Sequence, residues 1–168
     1  MKSHAAAAVA ALLFCTSPVL AQDDNPFVEF KVLKPELALK MAETAMVACR
    51  DMGYQVGVMV VDRFGIPQVF IRDRFAGLHV FETAQRKAWT AASFRTNTTD
   101  LNGATQPGSI SSGIRDLSKA LPLGGGLVVL EGEGSLVAGI GVSGAPSPDI
   151  DDECAQAGID AIEDLLFF

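Results

Sequence analysis

A chain of 168 residues, with 49% hydrophobic side chains and 20 acidic against 13 basic ones, has the size and composition of a single acidic α/β-sized domain. It is too short for two ordinary domains. A net charge of -7 argues against a nucleic-acid partner, because phosphate neutralisation needs clustered Lys and Arg that are missing here.

Residues 1–21 have the pattern of a secretory signal: Lys2 gives a basic start, Ala5 to Cys15 an apolar stretch, and Val19-Leu20-Ala21 a small-residue cleavage site before Gln22. The apolar run is about half the roughly 20 residues a spanning helix needs, so the expectation is a periplasmic or secreted protein with no membrane anchor after cleavage. The mature chain then keeps one histidine, His79, and two cysteines, Cys49 and Cys154. Those residues are too few and too scattered for a four-ligand zinc site. Residues 22–32, polar and proline-bearing at their start, are expected to form a flexible arm, and residues 33–168 the domain.

Pro35 to Met52 predicts the first helix, with proline in its first turn, apolar residues at Leu37, Met41, Ala45, Ala48 and Met52, and Gly53 placed to stop it. The period then changes. Tyr54 to Asp62 suits a strand buried on both faces, and Ile66 to Arg72 returns as its hairpin partner across Asp62-Arg63-Phe64-Gly65. Leu78 to Phe94 predicts a second helix with Val80, Ala84, Ala88 and Ala91 on one stripe, Arg95 to Gly108 a Thr-, Asn- and Gly-rich loop, and Ser109 to Leu117 a short third helix. After Gly124-Gly125-Gly126, Leu127 to Leu130 and Leu136 to Val142 form another hairpin. Ser147-Pro148 then opens a last helix running to about Leu166, its first-turn acids complementing the helix dipole. This order predicts an α+β fold, an antiparallel β-sheet flanked by helices.

Small residues line the first helix at Ala38, Ala42, Ala45 and Cys49, and the last at Cys154, Ala157 and Ala161. Antiparallel packing of these stripes would bring Cys49 beside Cys154, either as a disulfide or as two buried thiols acting as small apolar groups.

Three tempting motifs lack their context. Gly139-Ile140-Gly141-Val142-Ser143-Gly144 matches the dinucleotide pattern, but prolines precede the next helix and no further parallel strand follows. Gly141-Val142-Ser143-Gly144-Ala145 resembles a hydrolase elbow, yet His79 comes before the serine instead of last. Gly124-Gly125-Gly126 has no following Lys-Ser/Thr, so it is no phosphate-binding loop.

One constellation remains. Arg72, Asp73 and Arg74 end a strand, Phe75-Ala76-Gly77 turns the chain, and His79, Thr83, Arg86, Lys87 and Thr90 follow at spacings that share adjoining helical faces. Such a cationic, partly aromatic pocket could hold an anionic organic ligand; a solvated helix face with ion pairs is the plainer reading. Lys87, beside the alanine stripe, reads as partly buried, either paired with Asp62 or Asp73 or contacting a ligand. His79 could ligate a metal or haem iron, or simply cap the helix start.

Taken in order, Val60-Val61-Asp62 with Gly65, Arg72-Asp73 with Ala76-Gly77, Lys87-Ala88 with Thr90-Ala91, the triple-glycine break, Gly139 to Ala145 and Asp152-Glu153 with Ala155 make the chain resemble the GlcG/HbpS family of haem-binding proteins from about Leu33 to Leu165. Proline, usual in that family near Val128, is missing. The resemblance implies a PAS/profilin-like domain, homo-oligomers and, in exported members, haem capture linked to sensing or breakdown. Its axial ligands vary between members, so His79 is chosen on chemical grounds, with Arg72, Arg86 and Lys87 as candidates for the propionates and Thr83 and Ser143 as further contacts. Attachment as haem c is excluded by the lack of a Cys-x-x-Cys-His run. Two alternatives stay open: a binding or sensor module for a small organic acid, and a small-molecule enzyme using Lys87 or Asp62 as a base.

Overall fold

The structure, a computed structural model, describes residues 25–167; the segment read as a signal lies outside the described residues. Eight regular elements follow in order: α1 (Pro35–Asp51), β1 (Gly57–Asp62), β2 (Pro67–Arg72), α2 (Val80–Phe94), α3 (Thr98–Ala104), β3 (Gly126–Leu130), β4 (Leu136–Ser143) and α4 (Pro148–Asp160). The four strands form one antiparallel sheet in the order β2-β1-β4-β3, so the fold is α+β with helices on both faces.

Alternation along β1 explains the layering. Val58 and Val60 join Met41, Ala45 and Ile140 in the core beneath α1 and α4, whereas Met59 and Val61 face Ala84, Ala88 and Ala92 of α2. Glycine lets α2 lie directly on β4: a side chain at Gly141 would run into the Ala84 carbonyl, and one at Gly139 would come within 2.7 Å of the Ala88 carbonyl. The glycine pattern of β4 therefore serves helix–sheet packing. On the other face the small stripes of α1 and α4 meet, with Gly158 against the Met41 carbonyl. Cys49 and Cys154 are joined there in a disulfide with Cα atoms 5.4 Å apart.

Three elements depart from the sequence reading. Thr98–Ala104 is helical although its residues are poor helix formers, because Thr98 is buried and its Oγ1 accepts the Gly126 amide at 2.8 Å while Asn97 Oδ1 accepts that of Val128. Tertiary pairing with β3 overrides propensity. The expected helix at Ser109 to Leu117 is only a 3₁₀ turn at Ser112–Asp116 with no buried residue. Helix α4 stops at Asp160, and the chain turns so that Ile162 and Leu166 bury.

Residues 25–34 carry no regular structure, but Lys31 donates to Glu131 at 2.7 Å and to Glu133 at 3.2 Å. Glu131 also accepts the amides of Ser135 and Glu133. The Lys31 ammonium, helped by those amides, lowers the Glu131 carboxyl from 4.5 to about 2. Arg50, 2.8 Å from Asp73, likewise holds that carboxyl below its ordinary value. Both depressed groups contribute stability above their unfolded pKa values and lose it as pH falls through the folded ones. Unfolding midpoints should therefore drop between about pH 4.5 and 2, and Glu131→Gln should flatten part of that drop. A midpoint independent of pH across that window would contradict the assignment.

Candidate functional site

Helix α2 presents His79, Thr83 and Lys87 at intervals of four residues, which stacks them on one face against the end of β4. They line a cleft of about 330 Å³ closed by Leu123, Ser143 and the Gly144 to Pro148 turn. Gly144, at φ 129°, lets the chain leave β4 tightly: a Cβ there would sit 2.8 Å from the Gln55 carbonyl.

The floor of the cleft is ionic. Lys87 is 1% exposed, and its Nζ donates to Asp151 Oδ2 at 2.7 Å and to the Val142 carbonyl at 3.0 Å. Asp151 Oδ1 in turn accepts the Ala145 amide at 3.1 Å. Burial pushes the Asp151 carboxyl up, against the pull of the Lys87 ammonium. Ser147 caps α4, accepting the Ile150 amide and so setting Asp151 one turn into the helix. Above the floor, Thr83 Oγ1 lies 2.7 Å from Ser143 Oγ.

At the mouth stands His79. Occupying the N-cap position of α2, it makes no side-chain capping bond, so its imidazole stays available. The ring lies over Gly77, where a Cβ would come within 2.6 Å of Cε1. Its neighbours are unusually apolar for surface residues: Leu78 is 90% exposed and Phe75 80%, while Phe81 stacks edge-on against Phe70 at 4.9 Å.

The structure thus brings His79, Thr83, Lys87 and Ser143 together. It does not bring Arg86, which lines another recess beside Trp89, nor Arg72, which stands exposed at the end of β2. The expected Lys87 partners are otherwise engaged: Asp62 Oδ1 accepts the Phe64 and Ile66 amides of the hairpin turn, and Asp73 pairs with Arg50. The turn amides thus occupy one carboxylate oxygen of Asp62, the alternative base. Sequence reasoning missed Asp151, whose first-turn position reads equally well as a helix-dipole complement. A buried lysine requires a carboxylate, and topology alone decides which.

Chemically, the cleft offers one free imidazole nitrogen donor, the hydroxyls of Thr83, Ser143 and Ser147, and a buried ammonium with a third N–H. Among the described residues no group of three His, Cys, Asp or Glu side chains could hold a bare metal ion. A single imidazole nevertheless suffices as an axial ligand to haem iron. No helix among the described residues is long and apolar enough to cross a membrane.

Residues 33–160 match the family model described as haem degrading protein HbpS-like. Among solved structures, a double mutant of Streptomyces reticuli HbpS is 36% identical, with a TM-score of 0.77 over 88% of this chain and 97% of that one. The PduOC:heme complex is 32% identical, with a TM-score of 0.73 over 78% of this chain and 95% of that one. The corrinoid adenosyltransferase PduO of Citrobacter freundii is 33% identical over 125 residues, 73% of this chain but 37% of the relative, so the chain spans little more than a third of that protein.

Proposed function

Because the chain belongs to the HbpS-like family, we propose that it is an exported haem-binding protein whose iron ligand is His79. The observation that carries this reading is an uncapped imidazole at the mouth of a cleft, next in sequence to the exposed Leu78 and four residues after the exposed Phe75. A planar apolar macrocycle needs such a greasy border, and its iron needs one well-placed nitrogen. The donor set fits. When bound, haem supplies the redox and ligand chemistry of its iron; the chain's own residues supply orientation and charge. His79 would hold the iron, Thr83 and Ser143 would offer hydroxyl contacts at the cleft wall, and the Lys87–Asp151 pair keeps the floor rigid. Of the arginines expected at the carboxylates, Arg86 lines another recess and Arg72 stands exposed outside the cleft.

Support for haem over another flat ligand comes from the relative solved as a haem complex. Export is supported by the signal-like residues 1–21 and by the disulfide, which oxidising compartments permit. A homo-oligomer would cover part of the exposed apolar border. The matched relatives divide between HbpS and the PduO adenosyltransferase, and among the described residues no acid, base and oxyanion donors converge on one point, so binding is the activity assigned. Titration with hemin should give a saturable Soret band at a fixed ratio of haem to chain. A linear, non-saturating rise would overturn the reading.

A further inference from the structure

On the opposite flank of α2 lies a recess of about 370 Å³ that the haem reading does not use, lined by Gly65, Ile66, Pro67, Glu82, Gln85, Arg86, Trp89, Ser118 and Lys119. We propose that this recess is a second ligand site, independent of the His79 cleft, for a small carboxylate with a flat apolar body.

The indole of Trp89 is its apolar wall. Gly65, at φ 78°, makes room for that ring: a Cβ there would press to 2.7 Å from Trp89 Cδ1. Ile66, 60% exposed, and the exposed Pro67 extend the wall into solvent. Two of the lining residues are cationic. Lys119 places its ammonium 5.9 Å from the indole centroid and enters no ion pair among the described residues. Arg86 donates Nη2 to the Ala120 carbonyl at 2.7 Å, and its ion pair among the described residues is with the exposed Glu82 at 3.4 Å.

Most telling, Arg86 Nε is buried with no hydrogen-bond partner. Folded proteins rarely leave a buried donor unpaired, since its lost hydration costs about 1–3 kcal/mol. An anionic acceptor drawn to the guanidinium would relieve that deficit after a small rotation of the group. Two cations with one weak counter-charge select a carboxylate, and the indole selects a flat ring or alicyclic body attached to it. The segment that closes the recess is fastened independently, because Thr90 Oγ1 accepts the Leu121 amide at 2.8 Å. Apart from that turn of the Arg86 guanidinium, the site is therefore built before any ligand arrives.

Trp89 is the only tryptophan of the chain, so intrinsic fluorescence reports on this recess alone. Benzoate titrated into the full exported chain should give a saturable change in emission, with benzamide at least tenfold weaker. Arg86→Gln should weaken benzoate by about tenfold or more. Should Arg86→Gln fail to fold by circular dichroism, the exposed Lys119→Gln carries the same expectation at a smaller factor. No saturable change up to about 10 mM benzoate, near the weakest affinity expected for so small a ligand, would overturn the proposal. Equal titrations for benzoate and benzamide, or for wild type and the folded variants, would do so as well.

Discussion

Lys87→Ala is expected to lower the unfolding free energy by about 3–5 kcal/mol, the cost of stranding a buried partner charge. The side chains of Lys87 and Asp151 are 2% and 5% exposed, so neither can recover hydration when the other is removed. The same change deprives the Val142 carbonyl of its donor and opens a void beneath the Thr83 and Ser143 hydroxyls. Asp151→Ala should cost a similar amount by leaving the ammonium buried. Replacing both, as Lys87→Met with Asp151→Asn, should recover much of the loss, because two neutral groups no longer need each other. Urea unfolding with an unchanged m-value measures this directly. A loss below about 1 kcal/mol for Lys87→Ala would mean that water reaches the pair, at odds with a dry cleft floor.

The Cys49–Cys154 bridge should stabilise by a comparable amount. Its cysteines are 105 residues apart, and in the chain-entropy model a loop of about 100 residues corresponds to roughly 4.7 kcal/mol, with measured losses of about 2–5 kcal/mol when such bridges are removed. The double substitution Cys49→Ser, Cys154→Ser should lower stability within that range. Wild type treated with reductant should shift to the same unfolding midpoint. Under denaturing conditions, neither cysteine of the mature protein should label with a thiol reagent until reductant is added. Full labelling without reductant would show two free thiols, the other reading open from the sequence.

The disulfide illustrates what the sequence could and could not reveal. Small residues at helical spacing on the first and last helices announce a close helix–helix contact, and Cys49 and Cys154 fall at matching ends of those stripes. Whether the sulfurs meet depends on the depth of packing, which Gly158 sets by admitting the Met41 carbonyl. The sheet was legible for the same kind of reason: alternation along Val56 to Val61 has one natural interpretation. Helix α3 was not, since its threonines and asparagine gain their helical conformation from bonds to a strand some 30 residues away. At the site, the four-residue spacing of His79, Thr83 and Lys87 was readable on a helix wheel. The opposite wall, Ser143 to Pro148, and the identity of the Lys87 partner required the β4-to-α4 turn to be placed in space. Arg86 shows the converse. One residue from Lys87, it points to another face, because neighbours along a helix diverge by about 100°.

Whether His79 ligates the iron is decided by the optical spectrum of hemin-loaded wild type beside that of His79→Ala. His79 sits in an exposed N-cap position and makes no side-chain capping bond, so its loss should leave the fold intact. His79→Ala should show a displaced Soret maximum and an affinity for hemin lowered by about tenfold or more. Identical spectra and equal affinities would contradict it and remove His79 from the iron.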